Sequence, residues 1–246
     1  MTLYKNSMIF GAAMVIKGFI SFLTIAVFTR LLNADIYGDY AILIAAITFF
    51  DVIGFMWIRH TLMRYVTDED TDQSRRYIAN AAFLNSALAA IAIPVCLLCD
   101  ALAYKLLGVL IATEALSNFV ILIARLRLRL ITFFTLRILK PLLVLGIASV
   151  FVLKGFALDG IIYALLIAYT AIAVIGYAVL KDISAFKLSY VSKAICLKIL
   201  GYGLPLIAAL SIQTAVKLTD RVLLETLIGG EITGLYAAAQ DIPYKL

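Results

Sequence analysis

Long apolar runs, separated by short polar breaks, recur from one end of the chain to the other. The first covers residues 8–31, and six more follow at 36–58, 78–98, 106–124, 131–153, 160–180 and 199–217, with another opening at Ile232. A helix needs about 20 mainly apolar residues to cross the hydrocarbon core. Strands of a membrane barrel would be about ten residues long and would alternate in polarity. The pattern therefore predicts an all-α polytopic membrane protein with seven spans and the start of an eighth. The first run is also too long for the apolar core of a signal peptide, about 7–15 residues. It carries Lys17 and is followed by no small-x-small cleavage pattern, so it reads as a retained span.

Composition strengthens this picture. Apolar residues make up 64% of the chain and charged residues 15%, with a mean hydropathy of +1.06. Soluble domains carry about a quarter charged residues, and a water-facing surface could not be built from so few. The net charge of +6 is informative by position and does not point to nucleic acid. Fourteen of the 21 basic residues fall on one set of connections: Lys5, Arg59, Arg64, Arg75, Arg76, Arg125, Arg127, Arg129, Arg137, Lys140, Lys181, Lys187, Lys193 and Lys198. Only Arg30, Lys105, Lys154 and Arg221 fall on the other, while Lys17, Lys217 and Lys245 lie within spans. Basic residues collect on the cytoplasmic side, so the N-terminus is predicted to be cytoplasmic. The predicted outer connections are short and leave no room for an external catalytic domain.

Metal and redox chemistry find little support. The acidic stretch Asp68, Glu69, Asp70 and Asp72 lacks EF-hand spacing and reads as a solvated turn balancing nearby arginines. Cys96 and Cys99 sit in an apolar run, Cys196 stands alone in a basic loop, and His60 is the only histidine. No metal site and no cofactor is expected.

One short pattern occurs twice. The chain reads DIYGDYA from Asp35 and EITGLYA from Glu231, 196 residues later. Six predicted spans separate the copies, and an even number preserves orientation, so this is a parallel repeat. Arg30 precedes the first copy and Arg221 the second, at intervals of 5 and 10 residues to the acidic position, which predicts a longer turn before the second. Within the motif, Asp35 and Glu231 suit a helix N-terminus, where the N–H groups are unsatisfied. Gly38 and Gly234 permit close helix approach, and Tyr40 and Tyr236 suit the membrane interface.

TRLLNADIYGDYA (29–41), YGLPL (202–206) and TDR followed by GLYAAA (234–239) together resemble the polysaccharide-biosynthesis flippases, the O-antigen-type transporters of the multidrug/oligosaccharidyl-lipid/polysaccharide exporter superfamily. The resemblance implies two six-helix lobes around a central cavity. By alternating access they would move a lipid-linked oligosaccharide to the outer leaflet, for lipopolysaccharide O-antigen or related polymers. The implied partners are that lipid-linked oligosaccharide, the surrounding lipid, and the polymerase and chain-length machinery. The implied organisation is a six-helix lobe over 1–180, a cytoplasmic inter-lobe loop over 181–198 and an incomplete second lobe over 199–246. A full transporter of this type has at least twelve spans, so the expectation is of a fragment or a truncated reading frame.

Ionisable groups deep in a bilayer are costly and usually face protein or water. Lys17 lies about 14 Å into its span, and Ser21 and Thr24 share its face at i+4 and i+7. Asp51 falls at similar depth in the antiparallel second span. The pair reads either as a structural ion bridge or as a cavity in which Lys17 meets a diphosphate or acidic sugar. Ala209, Gln213 and Lys217 form a second face, with Asp220 beyond it, and Lys217 also fits a local pair with Asp220. Glu114, Asp51 and Asp220 are candidates for ion or proton coupling. Pro205 fits either a gate kink or a first-turn proline. Competing classes are a drug/cation antiporter of the same superfamily, which would favour acidic cavity residues, a membrane polymerase or ligase, which would need sizeable outer loops, and a non-transporting remnant.

Overall fold

The structure is a computed structural model that describes residues 2–66, 71–97, 102–180 and 188–245. The acidic residues Asp68 to Asp70, Cys99, Lys181 and Lys187 lie outside the described residues, as do the side chains of Lys5, Cys96, Lys105, Gln213 and Lys245. Among the described residues the secondary structure is helical: α1 (Thr2–Leu31), α2 (Ala34–Asp51), α3 (Trp57–Tyr65), α4 (Asp72–Leu97), α5 (Leu102–Leu126), α6 (Leu130–Leu153), α7 (Ala157–Leu180), α8 (Lys193–Leu227) and α9 (Gly230–Lys245). Among the described residues, seven helical stretches are long and apolar enough to cross a membrane. The protein is an all-α polytopic membrane protein.

Three boundaries differ from the sequence expectation, each for a physical reason. A π-helical segment, Val52–Met56, joins α2 to α3, so the second span runs on as one rod, Ala34–Tyr65. Arg59 therefore belongs to a helix and not to a loop. The seventh helix starts at Lys193 and continues to Leu227, straight through the Thr219–Asp220–Arg221 element. The extra residues before Glu231 are thus helix and not turn. Cys196 lies on α8, and Pro205 lies well inside that helix, which removes the first-turn reading of that proline.

Helix ends follow ordinary capping chemistry. The backbone N–H of Ile36 donates to Asn33 Oδ1 at 3.0 Å, so Asn33 is the N-cap of α2. Asp35 was expected to cap; it instead lies in the first turn, where its charge still favours the exposed N–H groups. Between α5 and α6, Leu128 N–H bonds Arg125 O at 3.1 Å and Arg129 N–H bonds Ala124 O at 3.0 Å. This is the paired closure of a Schellman ending. It puts Leu128 at φ 49°, a conformation usually given to glycine. Gly229, at φ 114°, closes α8.

Packing groups the chain into two compact units. The first comprises Met1–Ala46, Phe134–Ala168 and Ala215–Leu246, the second Ile47–Phe133 and Tyr169–Thr214. In the first unit, Phe28 of α1 meets the Tyr40 ring edge-on at 5.3 Å, and Tyr37 meets it at 5.6 Å. Tyr40 is buried, so it packs against its neighbours within this unit. In the second unit, α4 packs extensively along α5. Asn80, fully buried on α4, donates to Tyr190 O at 2.9 Å and accepts from Ser192 N–H at 2.8 Å. One side chain thereby fixes the segment leading into α8. Cys196 Sγ lies 3.2 Å from the same amide oxygen.

Candidate functional site

The two copies of the repeated motif meet. A methyl group added at Gly38 would lie 2.6 Å from Gly230 O and 3.3 Å from Gly234 N, and one added at Gly234 would overlap Ala34 O. In each copy a small residue precedes the glycine by four, Ala34 before Gly38 and Gly230 before Gly234. Small residues one turn apart let helix backbones touch, and here the N-terminal turns of α2 and α9 do so within the first unit. The remaining motif positions are not equivalent. Arg30 is exposed, whereas Arg221 is buried and donates to Ala41 O of α2 at 2.8 Å. Each residue of an α-helix advances 100° around its axis. The longer helical stretch before the second motif therefore turns Arg221 to a different face from Arg30. Tyr236 is partly exposed and, with Asp220, Leu223, Leu224, Leu227 and Ile228, lines an open cavity of about 330 Å³. Asp35 and Glu231 are both exposed at their helix starts.

Lys17 lies on the protein-facing side of α1. Ala13, Ile20 and Phe28 are buried, while Val15 and Phe19 are about 70% exposed. Lys17 and Thr24 are spaced at i+3 and i+4 along the buried stripe, which places both on its side of the helix. Lys17, Ser21 and Thr24 are each half-buried, and the Thr24 hydroxyl donates to Ile20 O at 2.8 Å. In α8, Lys217 precedes the buried Arg221 by four residues and shares its side, again half-buried. Asp220 is half-buried beside the cavity.

Asp51 has a cation on its own rod. Arg59 Nη1 and Nη2 donate to Asp51 Oδ1 and Oδ2 at 2.9 and 2.5 Å, and the two side chains are only 11% and 9% exposed. Eight residues in an α-helix overshoot two turns by 80°, but the extra residue of the π segment cancels most of that rotation. The π segment is therefore what brings the pair onto one face. Asn118 Nδ2 of α5 approaches Asp51 Oδ2 at 3.5 Å, and the half-buried Glu114 lies one turn before Asn118 on the same face. The partner the structure gives Asp51 is thus Arg59, where the sequence had pointed to Lys17. Asn85 on α4 is fully buried, and its amide has no partner among the described residues. Sequence inspection passed over Arg59, Asn118, Asn80 and Asn85, because neither loop-like charges nor lone amides register against hydropathy.

The YGLPL stretch is also a contact. A methyl group at Gly203 would overlap Trp57 Cε3 and lie 3.0 Å from Thr61 Oγ1. Trp57 is buried, so α8 seats on α3 through that glycine within the second unit. All three stretches that carried the family resemblance are therefore places where helices meet at van der Waals distance or through a buried side chain.

A family model described as "Polysaccharide biosynthesis protein" matches residues 3–243. No curated protein and no solved structure gave a significant match. The match spans nearly the whole chain and both motif copies, and the fold is the multi-pass helical one such a protein needs, so the chain belongs to the polysaccharide biosynthesis protein family.

Proposed function

We propose that this protein moves an undecaprenyl-diphosphate-linked oligosaccharide repeat unit from the inner to the outer leaflet of a bacterial cytoplasmic membrane. The unit would feed O-antigen, capsule or exopolysaccharide synthesis. The observation that carries the reading is the family match over 3–243 in a multi-pass membrane protein. We read residues 1–180 as a six-helix lobe with its N-terminus in the cytoplasm, joined through 181–198 to the first helices of a second lobe. Alternating access is the mechanism this organisation suits. The protein acts as a transporter and not as an enzyme in this reading, with the polymerase and chain-length machinery as downstream partners.

The chemistry of the substrate assigns roles. A diphosphate asks for cations held away from lipid, and Lys17 and Lys217 both lie on protein-facing sides of their helices. Ser21, Thr24 and Gln213 supply hydrogen-bonding groups along the same helices. Glu114 and Asp220 are the coupling candidates. Asp51 takes a structural role beside Arg59, because its two oxygens are already engaged. That engagement also weakens the drug/cation antiporter reading, which asks for buried carboxylates open to a cation.

Expression in a strain lacking its own flippase tests the proposal. Wild-type protein restores surface polysaccharide, Lys17→Arg retains most of it, and Lys17→Gln lowers it about tenfold at equal membrane abundance. Restoration by the Gln variant at the wild-type level removes Lys17 from the mechanism, and failure of the wild type removes the transport reading.

A further inference from the structure

Arg64 and Lys198 are both held beside tyrosine rings in the second unit. The guanidinium carbon of Arg64 lies 4.5 Å from the centre of the Tyr202 ring and 6.0 Å from that of Tyr65. Lys198 Nζ lies 5.0 Å from the Tyr65 ring centre and 5.7 Å from that of Tyr77. The rings form one platform. Tyr65 and Tyr77 stack at 5.0 Å with an interplanar angle of 6°, and Tyr202 stands edge-on to Tyr65 at 5.9 Å. Three helices contribute: the last residues of α3, the first turns of α4 and the early part of α8.

Both cations are exposed, and among the described residues no carboxylate forms an ion pair with either. Arg76 provides the contrast. It also approaches a tyrosine, Tyr190 at 5.9 Å, but its charge is met by Asp72 at 2.9 Å. The tyrosines also bring hydroxyls to these cations, Tyr202 and Tyr65 to Arg64 and Tyr77 to Lys198. Rings and neutral hydroxyls orient a cation without neutralising it, and these exposed cations, with several N–H donors each, keep some for an anion. Both lie within 6.0 Å of a single ring centre, so one small anionic group can engage them together. Arginine supplies a planar fork for phosphate oxygens and lysine a point charge. Tyr65 is the last residue of its span, and Lys198 lies near the start of another. Span ends are where tyrosine rings and lipid headgroups commonly meet.

We propose that Arg64 and Lys198, on the Tyr65–Tyr77–Tyr202 platform, bind the phosphate of a membrane-lipid headgroup. The proposal stands apart from the transport reading, because an ordinary anionic phospholipid and an isoprenoid diphosphate present the same chemistry.

The full-length protein, purified in neutral detergent, is titrated with phosphatidylglycerol, with undecaprenyl diphosphate and with inorganic phosphate, and bound lipid is read by native mass spectrometry. The wild type binds at least one of the lipids. The double variant Arg64→Gln/Lys198→Gln weakens that binding about tenfold, Arg64→Lys retains most of it, and Lys154→Gln, an exposed lysine on the opposite set of connections, leaves it unchanged. Weakening in the phosphatidylglycerol arm identifies bulk phospholipid as the occupant, and weakening confined to the diphosphate arm identifies the isoprenoid. Wild-type affinity of the double variant for both lipids overturns the site. So does equal affinity for inorganic phosphate, since the headgroup's lipid would then contribute nothing. Melting temperatures within a degree or so of wild type show that the variants have kept the fold.

Discussion

A carboxylate inside a membrane-spanning helix is costly unless protein groups meet it, and Asp51 has Arg59 at both oxygens. Removing one partner of a buried pair leaves the other uncompensated, at a cost of about 3–5 kcal/mol. The single change Asp51→Asn is therefore expected to lower thermal stability in detergent more than Asp51→Asn combined with Arg59→Gln. A double variant at least as unstable as the single would show that the two side chains do not act as a pair. This residue-scale feature was only half visible in the sequence. Asp51 stood out as an acid in an apolar run, but Arg59 looked like the first residue of a loop. A hydropathy profile ends a helix at the first charge, and it has no means of registering an acid eight positions earlier that neutralises it. The π segment that aligns them leaves no periodic signature at all. Tyr40 and Tyr236 make the same point: their matching motif positions gave no sign that one is buried against Phe28 and the other borders a cavity.

At the scale of elements, glycines set which helices touch. Gly38 and Gly234 were legible as close-approach positions because the pattern repeated, although nothing in the sequence said that the two copies would meet one another. Overpacking a tight interior contact costs about 1–3 kcal/mol, and here the obstacles are backbone atoms that cannot rotate away. Gly234→Leu and Gly38→Leu are each expected to lower the melting temperature and the yield of folded protein. Gly146→Ala in α6, where an added methyl group meets nothing within 4 Å, is neutral or stabilising by about 0.5–1 kcal/mol. Equal tolerance at all three positions would show that the motif copies do not cross as described. The extent of α8 was less legible. Lys217, Asp220 and Arg221 looked like the polar end of a span, yet the helix runs on through them, with Arg221 buried and donating to Ala41 O.

The whole molecule was the most legible level. Twenty-residue apolar runs admit few solutions in lipid other than helices, since every backbone N–H and C=O must be satisfied within its own segment. The same runs therefore recur as the seven candidate spans. Substrate chemistry is a different matter, because a sugar repeat unit imposes no periodicity on the helices that enclose it. Transport is thus argued from family membership and from cations kept out of lipid. The most direct test uses proteoliposomes carrying the purified full-length protein and an undecaprenyl-diphosphate-linked oligosaccharide with a fluorescent sugar. A membrane-impermeant quencher or glycosidase reports the fraction in the outer leaflet. The account predicts that lipid protected in the inner leaflet becomes accessible faster than in protein-free vesicles, with Lys17→Gln slowing that rate about tenfold. A rate equal to that of protein-free vesicles, from correctly inserted protein, would contradict it.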